Sequence, residues 1–257
     1  YDRAPEAEQS DGRLPLAPSQ YFMRLIQRLI AAMSAPTAEG IIYELDFRLR
    51  PSGNAGPLAT HIASFEKYQR EEAWTWERQA LTRARPLAGS PGLRARAETA
   101  IREALSRPTE ARKLAADVRE MRVLIDREKA GDNPFEVKTA KGGLIDIEFI
   151  AQWATLRGGV GRDGGRSTSI AGMLAAADVG LVEPADSEAL AGALALYNDV
   201  MQLQRLCMRE AFDPASAPRG LAQMFCEQLD LPDIRAVGGH LKQTQKGVRA
   251  IFNRLLA

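Results

Sequence analysis

One stretch decides the predicted fold, and it reads Ile41-Ile42-Tyr43-Glu44-Leu45-Asp46-Phe47-Arg48-Leu49-Arg50-Pro51. Apolar and charged residues alternate along it, which is the pattern of a β-strand with one buried face. The other face carries two carboxylates and two guanidinium groups, those of Glu44, Asp46, Arg48 and Arg50. A solvated surface strand would show the same alternation, so the segment after the strand has to distinguish the two interpretations.

A glycine-containing loop follows the charged strand. It reads Pro51-Ser52-Gly53-Asn54-Ala55-Gly56-Pro57, and its two glycines allow the backbone to come close to a ligand. Carboxylates suit a divalent metal, and guanidinium groups suit phosphate. The acids, the arginines and the loop together favour nucleotide chemistry over a plain surface strand.

Several ordered motifs resemble the bacterial glutamine synthetase adenylyltransferase family. They are residues 43–56, Tyr68-Gln69, residues 73–77, residues 79–85, Val137-Lys138 and residues 142–149. The resemblance covers most of the chain, and the run that contains Trp74 and Trp76 is more similar to the C-terminal, adenylylating half of that family. Arg78 departs from the resemblance, which leads us to expect histidine there, so a role of that histidine does not carry over.

The resemblance implies a cytoplasmic enzyme that transfers AMP from ATP to a tyrosine of glutamine synthetase, with Mg²⁺ as cofactor. Asp46 corresponds to the third of three acids that hold two Mg²⁺ ions, so it is the implied catalytic residue and metal ligand. The implied nucleotide contacts are Arg48, Arg50, Ser52, Gly53 and Lys138. The acids implied to support the site from outside are Glu44, Asp146 and Glu148.

The other two acids of the family, which follow a Gly-Ser turn in an Asp-x-Asp pair, do not precede Asp46 in this sequence. We therefore expect the first strands of the catalytic core to be absent from this chain, which begins at Tyr1 and suggests a piece of a longer protein. With one of three acids, the chain by itself is expected to bind Mg-ATP weakly and to transfer no AMP, because Mg²⁺ gives up its waters reluctantly.

Two of the supporting acids have a second interpretation. Glu44 shares a strand face with Arg48, and an ion pair between them is the favoured interpretation. Asp146 falls in the first turn of a predicted helix, where the helix dipole alone favours a carboxylate. The alternative is that its segment docks the helical region against the nucleotide site, with Lys138 near phosphate. Asp146 and Glu148 lie about 200° apart on that helix, so both cannot face one cleft.

Composition excludes several classes of function. The 257 residues have a net charge of +1, with 26% charged and 45% hydrophobic residues, so we expect neither a nucleic-acid nor a membrane partner. The cysteines Cys207 and Cys226 lack metal-ligand spacing and are interpreted as free thiols. His61 and His240 are far apart in sequence, which disfavours histidine metal sites and Ser-His-Asp catalysis.

The predicted fold is mainly α within the α+β class: a truncated nucleotidyltransferase mixed sheet near residues 38–60, then an antiparallel helical bundle. We predict domains at residues 1–85 and 86–257. Ser19 is predicted to cap a helix that Pro36 ends, Ser90-Pro91 to start another, and at least one of Trp74 and Trp76 to anchor the core. Phe135–Lys138 is predicted to be extended, and residues 158–165 a flexible linker. The remaining helices are predicted at 65–81 (one or two), 91–105, 109–129, 144–156, 168–179, 184–211, 218–229 and 233–256.

Two alternative functions remain open. The chain could come from the deadenylylating half of the same enzyme, which phosphorolyses the adenylyl-tyrosine. Alternatively, residues 86–257 could be a non-catalytic helical module that binds glutamine, PII-type signal proteins or glutamine synthetase itself.

Overall fold

The computed structural model describes residues 1–4, 8–41, 45–129, 133–158, 167–177, 180–208 and 212–257. Within these ranges the secondary structure is almost entirely helical, which confirms the mainly α class. The helices are α1 (Pro18–Met33), α2 (Ile62–Glu71), α3 (Thr75–Leu81), α4 (Pro91–Ser106), α5 (Ala111–Lys129), α6 (Leu144–Gly158), α7 (Ile170–Ala177), α8 (Pro184–Cys207), α9 (Arg219–Leu229) and α10 (Ile234–Leu255).

The predicted mixed sheet is not found in the described part of the chain. Residues 45–47 are irregular and a turn begins at Arg48, while Thr37 and Gly40 form only an isolated bridge. A strand needs neighbouring strands to pair its N–H and C=O groups, and the described residues provide none. The alternation survives in burial only over residues 45–48, where Leu45 and Phe47 are half-buried and Asp46 and Arg48 are exposed, because Leu49 is 58% exposed. Residues 42–44 lie outside the described ranges.

The chain divides into two compact units, Tyr1–Arg107 and Pro108–Ala257. This division falls later than the predicted boundary after residue 85. The difference comes from α4, which packs against α2 and α3 and therefore belongs to the first unit.

In the first unit, two arginines cap the C-terminal ends of two helices. Arg78 is 1% exposed and donates to the carbonyls of Ala104 (3.0 Å) and Arg107 (2.7 Å) at the end of α4. Arg107 in turn donates to the carbonyls of Gln69 (3.1 Å), Arg70 (2.9 Å) and Ala73 (3.1 Å) at the end of α2. The last carbonyls of a helix have no partner within the helix, so these guanidinium groups satisfy them.

Helix α6 lies at the centre of the second unit. It packs against α5, α7, α8 and α10, and its buried residues cover most of its circumference. Its sequence is apolar nearly all round, which is typical of a fully buried helix. Fully buried side chains from its neighbours include Leu114, Val118, Leu190 and Leu241.

Of the predictions on helix caps and core anchors, one is confirmed and two are wrong. Ser90 caps α4 as predicted, since its Oγ accepts from the amide of Leu93 (3.2 Å). The Ser19 cap is wrong, because α1 already begins with Pro18, whose missing N–H costs nothing at that position. The tryptophan anchor is wrong as well. Trp74 is 68% and Trp76 36% exposed, because the short helix α3 buries Glu77, Arg78 and Gln79 instead.

Residues 133–143, named here the turn segment, join α5 to α6. Phe135, Val137 and Thr139 are buried while Glu136 and Lys138 are exposed, so the predicted alternation of burial holds. The backbone forms successive turns rather than an extended strand. The predicted linker at 158–165 falls almost wholly outside the described ranges. Across those ranges, no helix is both long enough and apolar enough to cross a membrane.

Candidate functional site

Five of the predicted site residues meet in one loop of the first unit, residues 46–57, named here the arginine loop. The Arg48 side chain binds the Asp46 carboxylate, donating from Nε to Oδ1 (3.0 Å) and from Nη2 to Oδ2 (2.6 Å). The backbone amide of Arg48 also donates to Oδ1 (2.8 Å). These hydrogen bonds from Arg48 lower the pKa of Asp46 to about 2, so its carboxylate stays ionised at neutral pH. Arg48 is thus paired with Asp46, and the ion pair predicted between Arg48 and Glu44 falls outside the described ranges.

Arg50 makes different contacts, because its guanidinium group donates to backbone carbonyls of the loop itself. Nε donates to the carbonyl of Gly56 (3.1 Å), Nη1 to that of Phe47 (2.7 Å) and Nη2 to that of Asn54 (3.3 Å). The loop requires Gly56, since a Cβ there would lie 2.0 Å from the Pro51 carbonyl oxygen. Arg50 therefore holds the shape of the loop.

Ser52 and Gly53 form the sharpest bend of the arginine loop. Both have positive φ, 60° and 51° respectively, a conformation that is uncommon for serine. The Gly53 amide donates to the Arg50 carbonyl (2.8 Å), so within the described structure it serves the turn. Ser52 instead lines a neighbouring cavity.

This cavity of about 400 Å³ lies beside the arginine loop, within the first unit. Pro51 and Ser52 contribute from the loop, Ser19 and Met23 from α1, and Ser64, Lys67 and Tyr68 from α2; Tyr1, Pro57, Ala59, Thr60, His61 and Glu72 complete the lining. Its volume falls in the range of small-ligand sites, and its lining is mixed polar and apolar.

Tyr68 connects this cavity to α3. Its hydroxyl donates to Glu77 Oε1 (2.8 Å), and Glu77 Oε2 accepts from the amide of Trp74 at the start of α3 (2.9 Å). Burial raises the pKa of Tyr68, and the hydrogen bond to the Glu77 carboxylate raises it further. The motif residues Tyr68 and Glu77 therefore fix the beginning of α3 relative to α2.

The second unit contains a buried cluster of two aspartates and two arginines. Asp146 and Arg122 are both fully buried and joined through Oδ1 and Nε, and Arg249 Nη1 donates to Asp146 Oδ2 (3.0 Å). Asp126 accepts from Arg122 Nη1 (2.6 Å), and its Oδ2 lies 3.5 Å from Arg249 Nη2. The cluster is neutral as a whole, which is what a buried set of charges requires.

The same cluster holds the turn segment. Arg122 Nη2 donates to the carbonyls of Thr139 (3.0 Å) and Ala140 (2.9 Å), and the Gly142 amide donates to Asp146 Oδ2 (2.7 Å). The Tyr197 hydroxyl donates to the Gly142 carbonyl (2.8 Å). Gly142 has a φ of +79°, and a Cβ there would lie 1.8 Å from the Gln245 carbonyl oxygen, so only glycine fits.

The predicted site residues of the second unit do not form one group. Asp146 is buried in the cluster, Glu148 is half-buried and accepts from Gln152 (3.1 Å), and Lys138 is exposed. Asp146 lies in the first turn of α6, the position from which the helix dipole was expected to favour it. It also has ion-pair partners. Its partners Arg122 and Arg249 were missed, and so was the capping by Arg78. For Arg122, the i, i+4 spacing to Asp126 was the available signal.

The described residues do not by themselves fit a Mg²⁺ ion. Asp46 is the only candidate ligand in the arginine loop as described, and its carboxylate is paired with Arg48. Across the described ranges, no group of three or more histidine, cysteine, aspartate or glutamate side chains is arranged to hold a metal.

Comparison with known proteins shows which proteins this chain is similar to. Residues 1–100 match the family described as glutamate-ammonia ligase adenylyltransferase. The whole chain is 47% identical to the bifunctional glutamine synthetase adenylyltransferase/adenylyl-removing enzyme of Mesorhizobium japonicum and 48% identical to that of Brucella suis. The enzyme of the same name from Agrobacterium fabrum is 47% identical over 98% of the chain. These comparisons confirm the resemblance that the motifs predicted.

The chain spans 26% of the length of each of these relatives. What the complete proteins do therefore comes to this chain as a proposal.

Proposed function

We propose that this chain is part of an enzyme that transfers AMP from ATP to a tyrosine of glutamine synthetase. The similarity over the full chain to adenylyltransferases of that name supports the reaction. The observation that carries the proposal is the arginine loop, which holds two guanidinium groups around a sharp turn and whose Pro51 and Ser52 line a cavity of about 400 Å³.

In this reaction the tyrosine oxygen attacks the α-phosphorus of ATP and forms a new P–O bond. The bond from the α-phosphorus to the bridging oxygen breaks, pyrophosphate leaves, and the tyrosine proton is released. Charge builds up on the phosphate oxygens, so fixed cations beside them lower the barrier. The reaction needs arginines that are held in place before the nucleotide arrives.

The two arginines divide this work. Arg48 donates to Asp46 through Nε and Nη2, and among the described residues no acceptor engages its Nη1. It is oriented by Asp46 and still has donors for phosphate, which makes it the phosphate-binding arginine of our proposal. Arg50 keeps the loop in shape through three carbonyls and acts as the positioning residue. The resemblance also predicts that Mg²⁺ is the cofactor and that Ser52, Gly53 and Lys138 contact the nucleotide.

Replacing Arg48 by alanine in the full-length enzyme is expected to lower the rate of AMP transfer about 100-fold, because loss of one preorganised donor to developing negative charge typically lowers kcat by about 10²–10³-fold. The measurement is transfer of label from α-³²P-ATP to glutamine synthetase, together with pyrophosphate release. The matched control is Arg28→Ala, which removes an exposed arginine from α1 of the same unit and should keep normal activity. Equal activities of the two variants would contradict the role given to Arg48.

Pyrophosphate binding to the 257-residue chain tests the arginine loop without catalysis. Guanidinium–phosphate pairing needs no metal, so calorimetry should show binding that EDTA leaves unchanged and that Arg48→Ala weakens. Mg-ATP should bind weakly by comparison. Low-micromolar, magnesium-dependent binding of Mg-ATP would refute this expectation and point to a further carboxylate near the loop, Glu44 first.

The direction of the reaction is a separate question, because the names of the relatives include both addition and removal of the adenylyl group. We assign the chain to the adenylylating half. Assays of AMP transfer and of phosphorolysis, each on the full-length protein with Asp46→Asn, decide between the halves. Loss of phosphorolysis alone would move the assignment to the removing half. PII-type proteins and glutamine stay predicted regulators, tested by calorimetry with the full-length protein.

A further inference from the structure

Helix α10 has an unusual charge pattern. Its basic residues are Arg235, Lys242, Lys246, Arg249 and Arg254, and it contains no aspartate or glutamate. Two of these residues have partners inside the second unit. Arg249 belongs to the buried cluster and Arg254 pairs with Asp186 on α8. Their charges are therefore used to hold the fold.

The other three, Arg235, Lys242 and Lys246, are exposed, and they have no ion-pair partner among the described residues. Their spacings of seven and four residues keep them within about 40° of one another around the helix. They therefore form one stripe along the solvent side of α10. The opposite side is buried through Val237, Leu241 and Val248.

The turn segment lies against α10 beside this stripe. A Cβ on Gly142 would lie 1.8 Å from the Gln245 carbonyl oxygen, so the two backbones touch. Lys141 precedes Gly142 and Lys246 follows Gln245, and both lysines are exposed. Lys138 is also exposed. Its backbone lies close to Gly143, since a Cβ at Gly143 would be 3.2 Å from the Lys138 carbonyl oxygen. We name Arg235, Lys242, Lys246, Lys141 and Lys138 the basic face.

We propose that the basic face is a docking surface for an acidic polypeptide segment of a partner protein. Five cations that lack local carboxylate partners raise the potential at one place, and such a patch both attracts and orients an oppositely charged partner. The buried cluster fixes the backbone of the turn segment against α10, so the backbone positions that carry these cations keep a constant spacing. That arrangement favours a specific partner over diffuse attraction.

The charges around the basic face argue against nucleic acid. Residues 108–257 carry basic and acidic side chains in nearly equal number, so a long polyanion would leave the basic face and meet carboxylates. Single-stranded nucleic acid also needs exposed aromatic rings for stacking. The strongly exposed aromatic side chains of the described residues, Tyr21, Trp74 and Trp76, all lie in the first unit.

Fluorescence anisotropy with a labelled 20-residue poly-glutamate peptide tests the proposal on the 257-residue chain. We expect saturable binding at 50 mM salt that weakens at 200 mM, and a loss of about tenfold in affinity in the double variant Lys242→Glu/Lys246→Glu. The matched control is Arg112→Glu/Arg119→Glu, which reverses the same number of charges on exposed positions of α5. It should bind nearly as well as the unmodified chain, and circular dichroism checks that both variants are folded.

Three results would overturn the proposal: no binding of the peptide, an equal loss in the α5 variant, or tighter binding of a 20-nucleotide single-stranded DNA with the same dependence on Lys242 and Lys246. The last would make the basic face a nucleic-acid site. Because the peptide assay involves neither ATP nor glutamine synthetase, its failure is independent of the proposed adenylyl transfer.

Discussion

Replacing Asp146 by asparagine is expected to lower the free energy of unfolding of the second unit by about 3–5 kcal/mol, because breaking a buried ion pair leaves its partner charge uncompensated. Both Asp146 and Arg122 are completely inaccessible to water. Asparagine keeps the shape but turns an amide NH₂ or a neutral oxygen toward Arg122 and Arg249. The measurement is urea unfolding followed by tryptophan fluorescence in a Trp74→Phe/Trp76→Phe background, so that the signal comes from Trp153, which is 7% exposed and lies in α6.

The control for this prediction is Asp117→Asn, the same chemical change at a half-buried position of α5. Asp117 pairs with Lys113 (2.9 Å) at the surface, where such a pair contributes at most about 1 kcal/mol. A double-mutant cycle adds Arg122→Met to Asp146→Asn, and the combined loss should be smaller than the sum of the two single losses. A loss for Asp146→Asn no larger than that for Asp117→Asn would show that the cluster does not stabilise the second unit.

Replacing Arg78 by methionine is expected to destabilise the first unit by about 2–4 kcal/mol, because buried carbonyls at the end of α4 lose a charged donor. Burial, followed by the nearby charge of Arg107, lowers the pKa of Arg78 to about 10, so the group remains protonated at neutral pH. Methionine fills the space but donates nothing. Hydrogen exchange at the amides of α4 is the most direct measurement, since fraying of this helix end should speed their exchange.

Two further variants make the Arg78 experiment specific. Arg78→Lys should lose less than Arg78→Met, because an ammonium retains the charge but cannot span several carbonyls as a guanidinium does. Arg94→Met removes an exposed arginine from α4 and should have almost no effect. Unchanged exchange in Arg78→Met would mean that water or a neighbouring side chain satisfies these carbonyls equally well.

The sequence predicted those features that depend on near neighbours in the chain. The helix that begins at Leu144 was predicted from Gly142-Gly143, and the cap at Ser90 from the proline that follows it. Helical periodicity and capping act within about one turn, so a single sequence carries their whole signal. The glycine loop from Pro51 was predicted in the same way, whereas Asp46, Arg48 and Arg50 were predicted to lie on a strand before it.

Features that depend on distant partners could not be predicted. A strand near Asp46 requires backbone partners from elsewhere, and alternation alone does not reveal whether they are present. Arg78 reaches carbonyls 26 to 29 residues away, and Arg249 reaches an aspartate 103 residues away. Neither contact leaves a local pattern. The tryptophans failed for a related reason, since which face of a short helix is buried depends on what packs against it.

The paired arginine caps of the first unit determine where the protein can be shortened. The residues that match the adenylyltransferase family end at 100, but α4 continues to Ser106, and Arg107 holds the end of α2. A version ending at residue 85 or 100 would lose Arg107 and expose the carbonyls of α2, and it would also remove all or part of the helix end that Arg78 caps. The shortest stable piece that contains the first unit should therefore extend through Arg107, and the natural place to join or separate the two parts is the bond before Pro108.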